Sequence, residues 1–93
     1  MHLTPSEPPE ILFYATDADS SDKVYRHGLK AKINAFVAMY ETMEDARRAT
    51  GIKFPSCFAI IARVMAEDGY KFFLSESGEW LTKGVPPKYI RLQ

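Results

Sequence analysis

The chain has 93 residues, 46% hydrophobic and 13% aromatic, enough for one buried core and too few for two ordinary domains. Twelve Lys and Arg balance twelve Asp and Glu, so no global field draws the chain to nucleic acid or to an anionic membrane. The single cysteine, Cys57, forms no intrachain disulfide, no Cys/His cluster suggests a metal, and neither a secretion signal nor an apolar run of about 18 residues is present, so a cytoplasmic protein without metal or membrane is expected.

In chain order, Met1 to Pro9 holds three prolines and reads as a flexible leader, with the folded domain expected over residues 10–93. Ile11, Leu12, Phe13 and Tyr14 form an apolar run closed by Ala15-Thr16-Asp17, which predicts a buried strand and a turn. Ser20 or Ser21 is the expected N-cap of a helix carrying Val24 and Tyr25, with Gly28 in the left-handed position that ends it. Ala35 to Tyr40 predicts a second strand. Thr42 is the expected N-cap of a helix over Met43 to Thr50, stopped by Gly51 and Pro55. The apolar stretch from Cys57 to Val64 predicts the central strand of a sheet covered on both faces. Met65 to Gly69 reads as one helical turn. Lys71 to Ser75 and Glu79 to Thr82 then predict a hairpin turning through Glu76-Ser77-Gly78. Val85-Pro86-Pro87 forces an extended path, and Lys88 to Leu92 predicts an edge strand. The class implied is α+β, one small domain with mixed or antiparallel sheets and two short helices.

Charge is uneven along this order. Up to Asp22 there are five acids and no Lys or Arg, whereas from Trp80 onward Lys83, Lys88 and Arg91 stand without an acid, so a local basic patch is open to the fold.

From Pro8 onward the motifs resemble the C-terminal lobe of the RNA 2′-phosphotransferase (KptA) family, which has an ADP-ribosyltransferase fold. Pro8-Pro9-Glu10-Ile11-Leu12-Phe13-Tyr14-Ala15-Thr16 is similar to that family's strand ending in Tyr-His-Gly-Thr, and His27-Gly28-Leu29 stands in the place of its Gly-Leu. Met65 to Phe73 resembles its Met, Gly and Phe-Tyr segment. Ser77-Gly78-Glu79-Trp80-Leu81-Thr82 followed by Val85-Pro86-Pro87 resembles Asn-Gly-Val-Trp-Leu-Thr and Val-Pro-Pro at the same spacing. The resemblance implies NAD as cofactor, RNA as partner, and a cleft in which Tyr14, Thr16, Asn34, Tyr40 and Trp80 would meet the cofactor.

The departures carry as much meaning. In the resembled family a histidine of Tyr-His-Gly-Thr and an arginine just before a Val-His-Leu-Ser strand serve the transfer of an RNA 2′-phosphate to NAD, beside a preceding winged-helix lobe. Here the first histidine falls on Tyr14, the arginine on Asn34, and Val-His-Leu-Ser reads Val37-Ala38-Met39-Tyr40. The preceding lobe is expected to be absent. A neutral Asn cannot give the bidentate, charge-assisted contact of an Arg, and each such loss removes about 3 to 4 kcal/mol of transition-state stabilisation. The expectation is a catalytically degenerate domain that keeps a cleft for NAD, ADP-ribose or another nucleotide.

Two further readings stand beside it. Protein-modifying ADP-ribosyltransferases carry a glutamate where this chain has Glu79, so an active NAD-dependent transferase with Glu79 as its catalytic carboxylate is the first; the bland reading of Glu79 is a solvated hairpin residue. A structural or regulatory subunit, monomeric or weakly dimeric through the edge near Lys88 to Leu92, is the second. Tyr14 and Trp80 also fit a core, His27 a helix C-terminus, Cys57 a buried thiol, and Arg47, Arg48 and Lys53 a solvated face rather than a phosphate contact.

Overall fold

The computed structural model describes residues 4–31 and 35–92. Strand β1 (Leu12–Thr16) leads into helix α1 (Ala18–His27), then strands β2 (Leu29–Lys30) and β3 (Val37–Met39), helix α2 (Met43–Thr50), strand β4 (Ser56–Ile60) and helix α3 (Ala62–Glu67). Strands β5 (Phe73–Leu74), β6 (Trp80–Thr82) and β7 (Gly84–Val85) follow, then a 3-10 turn (Pro87–Tyr89) and β8 (Ile90–Leu92). Every paired strand is antiparallel, and the class is α+β, as expected.

Three sheets share these strands, in the orders β1-β4-β8, β2-β7 and β3-β6-β5. The predicted central strand is central: β4 lies between β1 and β8, with Tyr14 opposite Phe58 and Ile60 opposite Ile90. Alternation divides its side chains between two cores. Phe58 and Ile60 join Leu12, Val24, Met39, Met65, Phe72 and Trp80 in the larger one, while Cys57 meets Ala15 and Ala46 under α2. Cys57 is a buried free thiol. Burying a large apolar side chain stabilises by about 1.5 to 3 kcal/mol, so the larger cluster holds the molecule together.

Local chemistry explains where the helices begin. Thr42 caps α2 as expected, its hydroxyl accepting from Asp45 N at 3.0 Å, and Gly51 ends the helix in the left-handed region at φ 68. The cap of α1 differs from expectation. Asp17, not Ser20 or Ser21, is the N-cap, and its carboxylate accepts from Ser20 N at 2.7 Å. Both serines lie inside the helix, where Ser21 returns its hydroxyl to Ala18 O. A carboxylate at the positive end of a helix satisfies an orphan amide and meets the helix dipole; these bonds to Ser20 hold the Asp17 carboxyl below its ordinary value.

The expected strand from Cys57 to Val64 is shorter than read. It stops at Ile60, and α3 starts at Ala62. Ala62 and Met65 are buried while Arg63 and Val64 are exposed. That spacing of three is helical, and it overrides the β propensity of Ile61 and Val64.

Residues 4–9 run alongside β5. Pro5 forms an isolated bridge with Phe73, Ser6 N donates to Phe72 O at 2.8 Å, and Pro8 is buried.

Candidate functional site

Two antiparallel pairs bring distant parts of the chain together. Beyond β3, Tyr40 exchanges backbone hydrogen bonds with Phe13 on the free edge of β1, at 2.7 and 2.9 Å. β3 also pairs with β6, Met39 facing Trp80. The early strand and the late hairpin are therefore joined through β3, and the site is built where the three meet.

A cleft of about 400 Å³ opens there, lined by Tyr14, Ala15, Leu29, Lys30, Ala31, Ala35, Phe36, Val37, Ala38, Tyr40, Ala46, Ala49 and Thr50. Six of these thirteen residues are alanines. Methyl side chains on β1, β3 and α2 leave the space, and the rings of Tyr14, Phe36 and Tyr40 frame it. Its volume falls in the range of small-ligand pockets, about 300 to 1,000 Å³.

The two positions at which the resembled family has histidines, Tyr14 and Ala38, line this one cleft. Tyr14 is half-buried and packs against the larger core. Asn34, expected at the position of the arginine, lies outside the described residues. Thr16 is half-buried at the end of β1, opposite Ser56, and does not line the cleft.

Glu79 and Trp80 occupy a neighbouring layer, and neither lines the cleft. Tyr40 Oη donates to Glu79 Oε2 at 3.0 Å, and Trp80 Nε1 donates to Glu41 Oε2 at 2.8 Å. The pairs are reciprocal: two consecutive residues leaving β3 grip two consecutive residues entering β6. Ser77 Oγ donates to the other Glu79 oxygen at 3.2 Å. Burial and then the Glu79 carboxylate raise the Tyr40 phenol above its ordinary value, so it remains protonated as a donor. Trp80 is 5% exposed and belongs to the core. Glu79 is half-buried and tied on both oxygens, a buttress for Tyr40 rather than the freely solvated hairpin residue of the bland reading.

Sequence reasoning missed Lys30, the one Lys or Arg lining the cleft among the described residues, and Glu41, the partner of the indole. Ala46, Ala49 and Thr50 at spacings of three and four were the legible sign of a small-residue helix face turned to the cleft. Lys30 gave no sign, because its strand is two residues long and pairs with Gly84.

Among the described residues no group of three or more His, Cys, Asp or Glu could hold a metal, and no helix is long and apolar enough to cross a membrane. The residues lining the cleft fit the NAD that the resemblance implies in part. Tyr14 and Tyr40 offer aromatic faces, Tyr14 offers a phenol while that of Tyr40 is committed to Glu79, and among the described residues Lys30 offers one cation, which suits one nucleoside half with its phosphate.

Comparison with known proteins bears on the same residues. The family model described as RNA 2′-phosphotransferase, Tpt1 / KptA family matches residues 1–84. A probable RNA 2′-phosphotransferase of Flavobacterium johnsoniae is 32% identical over 94 residues, covering 100% of this chain and 52% of that protein. One from Trichormus variabilis is 32% identical over 94 residues, covering 99% and 51%. Another from Acaryochloris marina is 36% identical over 93 residues, covering 97% and 50%. The chain spans about half the length of these relatives. It belongs to the RNA 2′-phosphotransferase, Tpt1 / KptA family.

Proposed function

We propose that this chain is a nucleotide-binding lobe of the RNA 2′-phosphotransferase type that takes NAD or ADP-ribose into the Tyr14 cleft and has lost turnover. The observation that carries this reading is that Tyr14 and Ala38 both line one cleft framed by aromatic rings. The pocket persists at the positions where the chemistry has gone. A phenol and a methyl group stand where the family has two imidazoles, and among the described residues Lys30 is the cation that can meet a phosphate. Transfer of a 2′-phosphate requires cations placed around an anion while it attacks the carbon that releases nicotinamide, and one exposed lysine supplies little of that stabilisation. Binding asks for less: stacking faces, a few donors and a charge at the rim.

The test is a nicotinamide-release assay with NAD and a 2′-phosphorylated RNA, run beside an equilibrium binding measurement. The expected result is saturable binding of NAD or ADP-ribose with no nicotinamide above the uncatalysed background. Steady nicotinamide release that disappears in Glu79→Gln would replace this reading with an active transferase, in which the Tyr40–Glu79 pair belongs to the chemistry. Saturable binding that is unaffected by Tyr14→Ala would move the ligand elsewhere.

A further inference from the structure

Beside the Tyr14 cleft, and sharing Leu29 and Lys30 with it, lies a second opening of about 450 Å³. The end of α1, the β2-β7 ribbon and the Pro86-Pro87 turn form its walls, with Tyr70 across from them. Gly28 sets this shape. The chain leaves α1 there at φ 78, and a Cβ at that point would lie 2.2 Å from Val85 O, so two backbones meet directly behind the rim. Leu29 and Val85 are buried beneath the opening, and Pro86 and Pro87 are half-buried.

Charge around it is one-sided. Among the described residues His27, Lys30 and Lys83 line the opening and no Asp or Glu does. Among the described residues the ion pairs are those of Arg26 and Arg48, so neither lysine is neutralised by a carboxylate. Lys83 Nζ rests 4.3 Å above the Phe36 ring, which holds the ammonium between the two openings. In a chain whose acids and bases balance, an apolar floor edged by bases alone selects for a particular ligand chemistry. A neutral ring leaves the lysines without use, and a bare inorganic anion leaves the floor without use.

We propose that this opening is a second binding site, adjoining the Tyr14 cleft along Leu29 and Lys30, for a planar aromatic body bearing one phosphate or carboxylate. The ring lies on the Val85-Pro86-Pro87 face against Tyr70, and the anion meets Lys83 and Lys30 at the rim. Such a split is the usual economy of small-ligand sites, where apolar lining supplies most of the contact and a few polar groups fix orientation.

Amide shifts of the isotopically labelled protein, titrated with AMP, indole-3-acetate and inorganic phosphate, test the proposal. The two ring-bearing anions are expected to move the amides of Lys83, Gly84 and Val85, which line this opening and not the Tyr14 cleft, saturably, with inorganic phosphate about tenfold or more weaker because it leaves the apolar floor uncovered. A tighter AMP identifies the anion as phosphate, and a tighter indole-3-acetate as carboxylate. Lys83→Gln weakens the preferred probe about tenfold through the lost charge-assisted contact. Lys30→Gln, at an exposed side chain, does the same without disturbing the Phe36 contact. No saturable shift at these amides, phosphate binding as tightly as the ring-bearing anions, or full affinity retained in both lysine variants overturns the site. Shifts confined to Tyr14, Ala38 and Tyr40 also overturn it while leaving the Tyr14 cleft standing; the converse pattern does the opposite.

Discussion

At the residue scale, Gly28 tolerates change least. Its φ of 78 lies where L side chains are strained, and the added Cβ would meet Val85 O at 2.2 Å and Pro87 Cδ at 3.0 Å. A backbone oxygen cannot rotate aside as a side chain can. Gly28→Ala is expected to destabilise the protein by about 2 to 4 kcal/mol, combining strain at positive φ with overpacking. Urea unfolding measures this, and a loss below about 1 kcal/mol would show that α1 and β7 separate easily. Gly51→Ala, with nothing within 4 Å of its added Cβ, is the control that isolates the φ contribution, expected to be about 1 kcal/mol.

Tyrosine ionisation gives a second residue-scale prediction. Tyr89 Oη donates to Asp68 Oδ2, and this bond, with burial and the carboxylate's charge, pushes the phenol from 10.0 up to about 12. The native state therefore holds a proton that the unfolded state releases first. Its stabilising contribution is complete below the unfolded value and is lost as pH rises through the folded one. Stability should fall between about pH 10 and about pH 12, and Tyr89→Phe should flatten that decline. Tyr40, raised in the same direction, adds to the slope in this alkaline range. Chemical denaturation of the parent protein and of Tyr89→Phe at several alkaline pH values checks this; an unchanged slope in Tyr89→Phe would contradict the assignment.

At this scale the sequence was readable where a residue's role is local. Thr42, Gly51 and the need of the Trp80 indole for one partner follow from side-chain chemistry and near neighbours. The cap at Asp17 was also local, and was missed because two serines three and four residues on compete for the same role by composition. The Tyr40–Glu79 and Glu41–Trp80 pairs could not be read, since each joins residues 39 apart and depends on strand register.

At the element scale, the three sheets are short and their edges are managed differently. The free edge of β1 takes the backbone of Tyr40, and residues beside β5 receive Ser6. β8 is the remaining edge of its sheet, and there Arg91 Nη1 donates to Lys88 O at 2.8 Å and Ile90 O at 3.0 Å. A charged side chain folded over edge carbonyls is a way of preventing strand-to-strand association. Arg91→Val is therefore expected to self-associate at concentrations where the parent protein scatters as a monomer. Light scattering decides it, and a parent dimer that Arg91→Val leaves unchanged would favour pairing along β8 as a native property.

Helix α2 was legible to its ends because a capping threonine, a first-turn acid pair and a terminal glycine agree with one another. The division of Cys57–Val64 into strand and helix was harder. The apolar run fits a strand by propensity, and only the spacing of Ala62 and Met65 signals the turn of a helix. Strands β2 and β7, two residues each, gave no periodic pattern, so the ribbon that walls the second opening was invisible until Leu29 faced Val85.

At the scale of the molecule, the described chain has a radius of gyration of 12.3 Å, close to the ~12 Å given by compact packing of this length. One large cluster reaches into all three sheets, so the fold should melt as one cooperative unit. The α+β class was readable from the mixed order of strands and helices, and the family from motifs in fixed order. The cleft itself was readable only in part: Tyr14 and Ala38 are 24 positions apart in sequence, and their meeting depends on the backbone pair between Phe13 and Tyr40. Glu79 stands next to that pair, one hydrogen bond from the cleft wall rather than on it.

The central claim is that the Tyr14 cleft receives a nucleotide. Titration of the labelled protein with NAD, followed by backbone amide shifts, tests it most directly. Binding in the cleft predicts saturable changes clustered at Tyr14, Ala38, Tyr40 and Ala49, reduced at least fivefold in apparent affinity by Tyr14→Ala for the lost aromatic face, about 1 kcal/mol. Amides in these positions that stay unmoved at millimolar NAD would contradict the account.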